Sequence, residues 1–358
     1  AKDSKKLVTS FIFILQKYKT KVYSSISNIL NLNLIFAKMK WTNFNIRTFK
    51  SLTHFLLLPL SFIYLSITSI RNLLFDFGFF KEKTHQIPII CIGNLSVGGS
   101  GKTPHTQYLF DLLKNKYKVA VLSRGYGRKN SSLQLVEITS RAIDVGDEPL
   151  QLKQNNPECL VLVEKNRNKG VIHILRHFPK TEIILLDDGY QHRWIKAGFN
   201  IIVTPFSSPF YDDFLMPFGK LRESKKAVTR ANAVIFSKSP ENTNPTLKKG
   251  MLERLHLFSH QKAYFSVIKY HQFKSIKNNT ELEEIDPHSI TLVSGISNAK
   301  PLIKYLKEKG HSISHLKYSD HHNYCINDIN NILARYKAEE SAKKLILTTE
   351  KDATKLKQ

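Results

Sequence analysis

Residues 87–104 read IPIICIGNLSVGGSGKTP, an apolar run, then a glycine-rich turn, then Gly101-Lys102-Thr103. The run from Pro88 to Ile92 predicts a buried strand. Residues 93–103 predict a loop whose backbone N–H groups converge on an anion at the start of a helix. The pattern G-x-x-x-x-G-K-[ST] would place glycine at position 96, where Ser96 stands. The other parts are in place. Gly98, Gly99 and Gly101 permit close backbone approach, with Ser100 among them, Lys102 suits the β/γ-phosphates and the Thr103 hydroxyl suits Mg²⁺. The stretch predicts a nucleoside-triphosphate site.

The chain has 358 residues, enough for two α/β domains with substantial cores, and its 42% hydrophobic content is that of globular proteins. Against 29 Asp+Glu stand 54 Lys+Arg, a formal net charge of +25. The basic residues are scattered and no basic–aromatic RNA-binding signature stands out, which argues against nucleic acid. Attraction to an anionic lipid surface and a lysine-rich compositional bias both fit. Cys91, Cys159 and Cys325 lie far apart and form no C-x-x-C pair, so they suggest packing roles in a reducing compartment rather than disulfides or zinc.

Upstream of the loop, residues 1–38 are rich in Lys, Ser and Asn and carry no functional reading, and the first methionine is Met39. Ser51 to Ile70 holds no formal charge between Lys50 and Arg71. That is the lower edge of bilayer-spanning length, and Pro59 and several hydroxyls count against a span. Leu56, Leu60, Ile63, Ile67, Ile70 and Leu74 recur at helical spacing. The stripe fits a core helix, a single span, or a helix in the membrane interface with Arg71, Lys81 and Lys83 near head groups. No cleavable signal peptide pattern precedes the loop.

Downstream, aliphatic runs alternate with helical stretches, as in a parallel sheet. Lys118 to Ser123 predicts a strand running into Arg124-Gly125-Tyr126-Gly127-Arg128, at the sheet edge where α/β folds gather ligands. Two arginines there suit an anionic group or form a solvated turn. Asp147, in the run Asp144 to Pro149, either complements a helix N-terminus or, beside a γ-phosphate, accepts a hydroxyl proton. Thr181 to Leu186 leads into Asp187-Asp188-Gly189-Tyr190-Gln191-His192. A strand ending in aspartate can face Mg²⁺ opposite the phosphate loop, although Asp-Gly turns also end strands with no metal nearby.

Asn200 to Thr204 and Ala233 to Ser237 predict further strands, with Ser237-Lys238 near nucleotide. Ser239 to Lys249 reads as a loop, and Ala263 to Tyr270 and the segment near Ile285 as extended connectors. A second strand–glycine–helix unit opens at Ser289 to Gly295. In Tyr318 to Tyr324, adjacent histidines on an extended segment point in opposite directions, so only one of His321 and His322 can face a given site; a plain surface loop is the alternative. Thr349 is placed to cap a helix with Asp352 three residues on.

GNLSVGGSGKTPH, SRGYGRK (123–129), VGDEP (145–149), LLDDGYQH (185–192), MPFGKLRE (216–223), DHHNY (320–324) and TTEKDATKL (348–356), in that order, resemble the tetraacyldisaccharide 4′-kinase family. The resemblance implies phosphorylation, with ATP and Mg²⁺, of the 4′-hydroxyl of a tetraacyl disaccharide 1-phosphate. This lipid A precursor is met at the cytoplasmic face of the bacterial inner membrane, without nucleic acid or an obligate protein partner. It implies Asp147, His321 and Lys102 as catalytic, with His322 the rival histidine and Asp320 fixing the tautomer. Gly98, Gly99, Ser100, Gly101, Lys102 and Thr103 would hold nucleotide, and Thr103, Asp187 and Asp188 metal. Arg124, Tyr126, Arg128, Gln191 and His192 would hold substrate. A membrane-recruited P-loop NTPase switch is the alternative, needing only a positioned water where a transferase needs a proton acceptor.

The expected architecture is α/β. It comprises an unassigned extension (1–38), a membrane-anchoring helix region (39–84), a P-loop NTPase-like α/β/α domain (85–262), a linker (263–288) and a smaller α/β domain (289–358). The family pattern continues through another strand after the last of these.

Overall fold

The computed structural model describes residues 57–270, 273–276, 280–282 and 288–357. The expectations for residues 1–38, for Met39 to Leu56 and for the neighbourhood of Ile285 lie outside the described residues.

The main sheet is made of β1 (Ile89–Gly93), β2 (Val119–Ser123), β3 (Gln134–Leu135), β4 (Leu160–Val163), β5 (Ile183–Asp187), β6 (Phe199–Pro205), β7 (Ala233–Ser237) and β8 (Lys262–Phe265), with the short β3 and the half-buried β8 at its edges. Every residue of β1, β2 and β5 is buried, which is why these strands read as continuous apolar runs and not as alternation. The strands join in one sheet, order β3-β4-β2-β5-β1-β6-β7-β8, parallel except where β3 meets β4.

The helices so far are α1 (Leu58–Asp76), α2 (Lys102–Leu113), α3 (Ala142–Val145), α4 (Asp147–Asn155), α5 (Arg167–His177) and α6 (Pro245–Leu255). Successive side chains of one strand enter opposite cores. Ile90 and Ile92 pack with Leu109, Phe110 and Leu113 of α2, whereas Ile89 and Cys91 pack on the side of Val171 and Ile174 of α5. Because β1 and β5 are neighbours, the loops at their C-terminal ends lie side by side.

Two boundaries differ from the expectation. Residues 262–265 pair in parallel with β7, so the main sheet takes in the start of the stretch read as a connector. The run read as a loop from Ser239 already contains helix α6, because Pro245 occupies its first turn and the Asn244 side chain accepts from Thr246 N–H at 2.8 Å.

The smaller unit has β11 (Ser289–Ser294) flanked in parallel by β12 (Ser312–Lys317) and β13 (Lys344–Thr348), after an antiparallel pair β9 (Phe273–Lys274) and β10 (Glu281–Leu282). Its helices are α7 (Lys300–Glu308), α8 (Ile326–Lys337) and α9 (Glu350–Leu356). Ile290, Leu292 and Leu306 form its buried centre.

Helix α1 is inside out for a soluble protein. Of the expected apolar stripe, Leu60, Ile63, Ile67 and Ile70 are 51%, 57%, 62% and 58% exposed, Leu74 is partly buried and Leu56 lies outside the described residues. The polar face turns inward: Ser61 Oγ donates to the Leu215 carbonyl at 3.2 Å, Tyr64 OH to the Arg222 carbonyl at 2.7 Å and Asn72 Nδ2 to Glu223 Oε2 at 3.0 Å. At its C-terminal end Asp76 pairs with Arg193 at 2.8 Å. The core-helix reading of the stripe therefore does not hold, because the periodicity buries hydroxyls and amides and leaves isoleucines outside.

Candidate active site

Helix α2 starts at Lys102, with Gly101 at φ 90 before it and Gly98 at φ 105, backbone conformations that side chains rarely adopt. The loop between them is braced from β7 and its exit. Ser237 Oγ donates to the Ser100 carbonyl at 2.6 Å and Lys238 Nζ to the Gly99 carbonyl at 2.7 Å. From inside, Asn94 Nδ2 donates to Ser100 Oγ at 3.1 Å. A Cβ on Gly99 would overlap the Ser297 hydroxyl, so the smaller unit presses directly on the loop.

Beside it, β5 delivers two carboxylates to different depths. Asp187 is buried and accepts from Thr106 Oγ1 at 2.9 Å. Burial, then Glu148 and Asp188, push its carboxyl above the usual range. Asp188, at φ 50, lines the cleft, with Lys102 Nζ at 3.7 Å and Arg222 Nη1 at 3.0 and 3.2 Å from its two oxygens. Burial alone would raise Asp188, but Lys102 and Arg222 outweigh it and hold the carboxyl low. Among the described residues no three His, Cys, Asp or Glu side chains form a metal cage. Two carboxylates and the Thr103 hydroxyl, all hard oxygens beside a phosphate loop, fit Mg²⁺ that completes its shell with water and phosphate.

Opposite stands a pair assembled from distant segments. Asp147 opens α4 and is buried, and His321 Nδ1 lies 3.1 and 2.8 Å from its two oxygens. Lys355 Nζ lies 2.9 Å and Lys351 Nζ 3.9 Å from Asp147 Oδ2. Burial would raise the Asp147 carboxyl, yet the His321 hydrogen bond and the two lysines override it and hold it well below the usual range. An ionised Asp147 leaves the shared proton on His321 Nδ1, which donates. His321 lines the cleft beside Tyr126, ring centroids 5.2 Å apart, and Asp147 stands behind it. His322 points away to Asp328 at 2.9 Å, packed between Tyr318 and Tyr324.

The floor between the two walls is cationic. Arg167 is 2% exposed, donates to the carbonyls of Glu164 at 2.8 Å and Asp187 at 3.5 Å, and has an Nε without a partner among the described residues. Burial lowers its guanidinium to about 10. His192 Nε2 is likewise buried without a partner, and burial with Arg167, Arg124 and Arg71 pushes the imidazole down to about 4, which keeps it neutral. Gln191 Nε2 donates to the Asn94 carbonyl at 2.8 Å and Glu223 Oε1 at 3.0 Å, and Glu223, fully buried, is held by Arg230 at 2.7 Å. Arg167, Gln191 and His192 line one cleft of ≈ 2060 Å³ shared by both units, together with Gly98 to Thr103 and Arg124.

A family model described as tetraacyldisaccharide-1-P 4′-kinase matches residues 53–358. The chain belongs to that family. A curated tetraacyldisaccharide 4′-kinase of Bacteroides thetaiotaomicron is 41% identical over 315 residues, covering 85% of this chain and 83% of its own. One of Flavobacterium johnsoniae is 40% identical over 303 residues, covering 84% and 87%. The crystal structure of Aquifex aeolicus LpxK in complex with ATP superposes with a TM-score of 0.65 at 30% identity, covering 85% of this chain and 90% of that one.

Set against the expectations from sequence, the structure differs in four places. Arg128 is not on the cleft: its guanidinium folds back on its own loop, donating to the carbonyls of Ser132 at 2.6 Å and Ser131 at 3.2 Å. Asp320 does not fix the His321 tautomer. It lies 3.9 Å from Nε2 and pairs with Lys351 at 2.9 Å, and Asp147 takes the tautomer-fixing bond. Cys325 is not a packing residue but an exposed helix cap, whereas Cys91 and Cys159 are buried. Finally, the expected set omits Arg167, Arg222, Lys351 and Lys355. Arg222 was legible only as part of the MPFGKLRE segment, and neither lysine was singled out within TTEKDATKL.

Proposed function

We propose that this chain transfers the γ-phosphate of ATP to the 4′-hydroxyl of a tetraacyldisaccharide 1-phosphate at the cytoplasmic face of the inner membrane. The observation that carries this reading is the Asp147–His321 pair on the cleft wall opposite Lys102 and Asp188. A switch needs no such pair facing its phosphate loop; a transferase needs a proton acceptor there.

In this reading Gly98, Gly99, Ser100 and Gly101 bind phosphate through backbone N–H groups, and Lys102 adds a fixed charge. Asp188, Asp187 and Thr103 would hold Mg²⁺, which would neutralise phosphate charge. Asp147, the acidic base expected from the sequence with the histidine as its tuning or relaying partner, stands behind His321, so in this reading the roles exchange: His321 Nε2 receives the hydroxyl proton, and Asp147 orients the ring and stabilises the resulting imidazolium. Arg124, Arg167 and neutral His192, with Tyr126 and Gln191, form the polar bed for the anionic sugar headgroup.

Helix α1 supplies the bilayer contact. Its outward isoleucines suit acyl chains, and its inward face is bonded to the body from Ser61 to Asp76, which favours a helix lying in the interface over one crossing the bilayer.

The test is transfer of labelled γ-phosphate to the lipid in mixed vesicles by the wild type, Lys102→Met and the double variant Ile63→Glu/Ile67→Glu. Labelled lipid from the wild type, at least about 10²-fold less from Lys102→Met, and loss of vesicle sedimentation by the double variant are expected. ATP hydrolysis without labelled lipid would hand the site to the switch reading.

A further inference from the structure

Beside the Asp147–His321 pair sits a buried lysine that the mechanism above does not use. Lys355 lies on α9, its side chain 8% exposed, and its ammonium reaches two acceptors, Asp147 Oδ2 at 2.9 Å and the His322 backbone carbonyl at 3.1 Å. Taking an ammonium out of water is unfavourable unless its partners are well placed. Docking a helix of 7 residues does not require it, since α9 already holds α4 through Glu350, whose Oε2 accepts from Gln151 at 3.2 Å and Asn155 at 3.0 Å.

The two acceptors are the two halves of the pair. One is the carboxylate itself; the other is the carbonyl following His321. His321 adopts φ 60, a left-handed conformation that costs a non-glycine residue energy and persists only where its surroundings impose it. One side of that turn is held by His321 N–H to Asp320 Oδ1 at 3.1 Å and His322 N–H to the Ser319 carbonyl at 3.2 Å. Lys355 holds the other.

We propose that Lys355 is a positioning residue for the phosphoryl transfer: its single ammonium spans Asp147 on the main unit and the His321–His322 turn on the smaller one, and so sets the bond between carboxylate and imidazole. Lys351, on the same helix, does not duplicate it. Its ammonium pairs with Asp320 at 2.9 Å and stands 3.9 Å from Asp147, 3.8 Å from Glu148 and 3.4 Å from His321 Nε2. The proposal rests on the reading of Asp147 and His321 as the proton-handling pair.

The experiment measures kcat, KM for ATP and Tm for full-length wild type, Lys355→Met, Glu350→Ala and Asp147→Asn in detergent. The expected result is a kcat lower by about 10- to 100-fold in Lys355→Met, with KM for ATP within about twofold and Tm close to wild type, while Glu350→Ala keeps its kcat. Wild-type kcat in Lys355→Met beside an inactive Asp147→Asn overturns the proposal and leaves the pair's role standing. Equal losses of kcat and Tm in Lys355→Met and Glu350→Ala overturn it too, because Lys355 would then only dock the helix. An active Asp147→Asn removes the pair's role and the proposal with it. If Lys355→Met does not fold, Lys355→Gln, which leaves a neutral donor facing Asp147, carries the same comparison.

Discussion

On one wall of the cleft, the phosphate loop and Asp187-Asp188 hang from β1 and β5, adjacent strands of one sheet, with Lys102 and Asp188 3.7 Å apart. On the other, Asp147 and His321 meet across 174 residues of chain and from two units, in contact through α4 and α9. The first wall is set by strand register and packing against two cores. The second exists only while the smaller unit is seated, and its bonds join charged side chains across the contact between the units. Binding of nucleotide and transfer of phosphate should therefore be separable by mutation, with the strand-built wall governing the first and the assembled wall the second.

The harshest way to break that separation is Asp147→Asn, which keeps the shape of the carboxylate and removes its charge. Transfer to lipid is expected to fall by about 10²- to 10⁴-fold, while ATP affinity measured by equilibrium binding stays within about threefold of wild type. A parallel collapse of ATP binding would show that the two walls act as one.

Exchanging the adjacent histidines sharpens the comparison further. His321→Asn is expected to lose about 10²-fold in kcat, whereas His322→Asn, which gives up its contact with Asp328 and its packing between Tyr318 and Tyr324, should stay within about threefold and lose some Tm. Equal kcat losses would mean that the turn matters as a whole and not through the ring that faces Asp147.

The two walls also differ in how far they could be read from sequence. The strand-built wall is legible because its parts are contiguous: an aliphatic run, Gly98 to Thr103, and a second run ending in Asp187-Asp188 each carry their geometry locally. Asp147 and His321 were nameable only through the family resemblance, since capping and a surface loop explain the same residues as well. Lys355 and Arg167 were not legible at all, because a lysine on a short helix and an arginine after a strand reveal their burial only once another segment covers them. In α1 the periodicity marked the helix correctly and left open which face meets the protein. A hydrophobic stripe defines a side, and only Tyr64 and Asn72 bonding to Arg222 and Glu223 settle that it is the outer one.

The smallest effect separates the floor of the cleft from the assembled wall by pH. His192, in the turn that follows β5, has a folded value of about 4 against 6.5 for the free side chain, so unfolding takes up a proton between those values. Its contribution to stability is thus present above pH 6.5 and is lost as pH falls toward 4. Asp147 has the same sign in a lower window. Its folded value lies far below the ordinary 3.8, so its contribution stays complete until pH drops beneath that figure. Between pH 6.5 and 4 acid should therefore weaken the floor of the cleft through His192 and spare Asp147, while Asp187, whose carboxyl is raised, contributes with the opposite sign. Thermal unfolding of His192→Asn against wild type is the check, with the variant losing about 1–3 °C less over that interval once partial solvent screening is allowed for. Parallel curves would place the acid sensitivity elsewhere, and a flatter curve in Asp147→Asn instead would move it to the assembled wall.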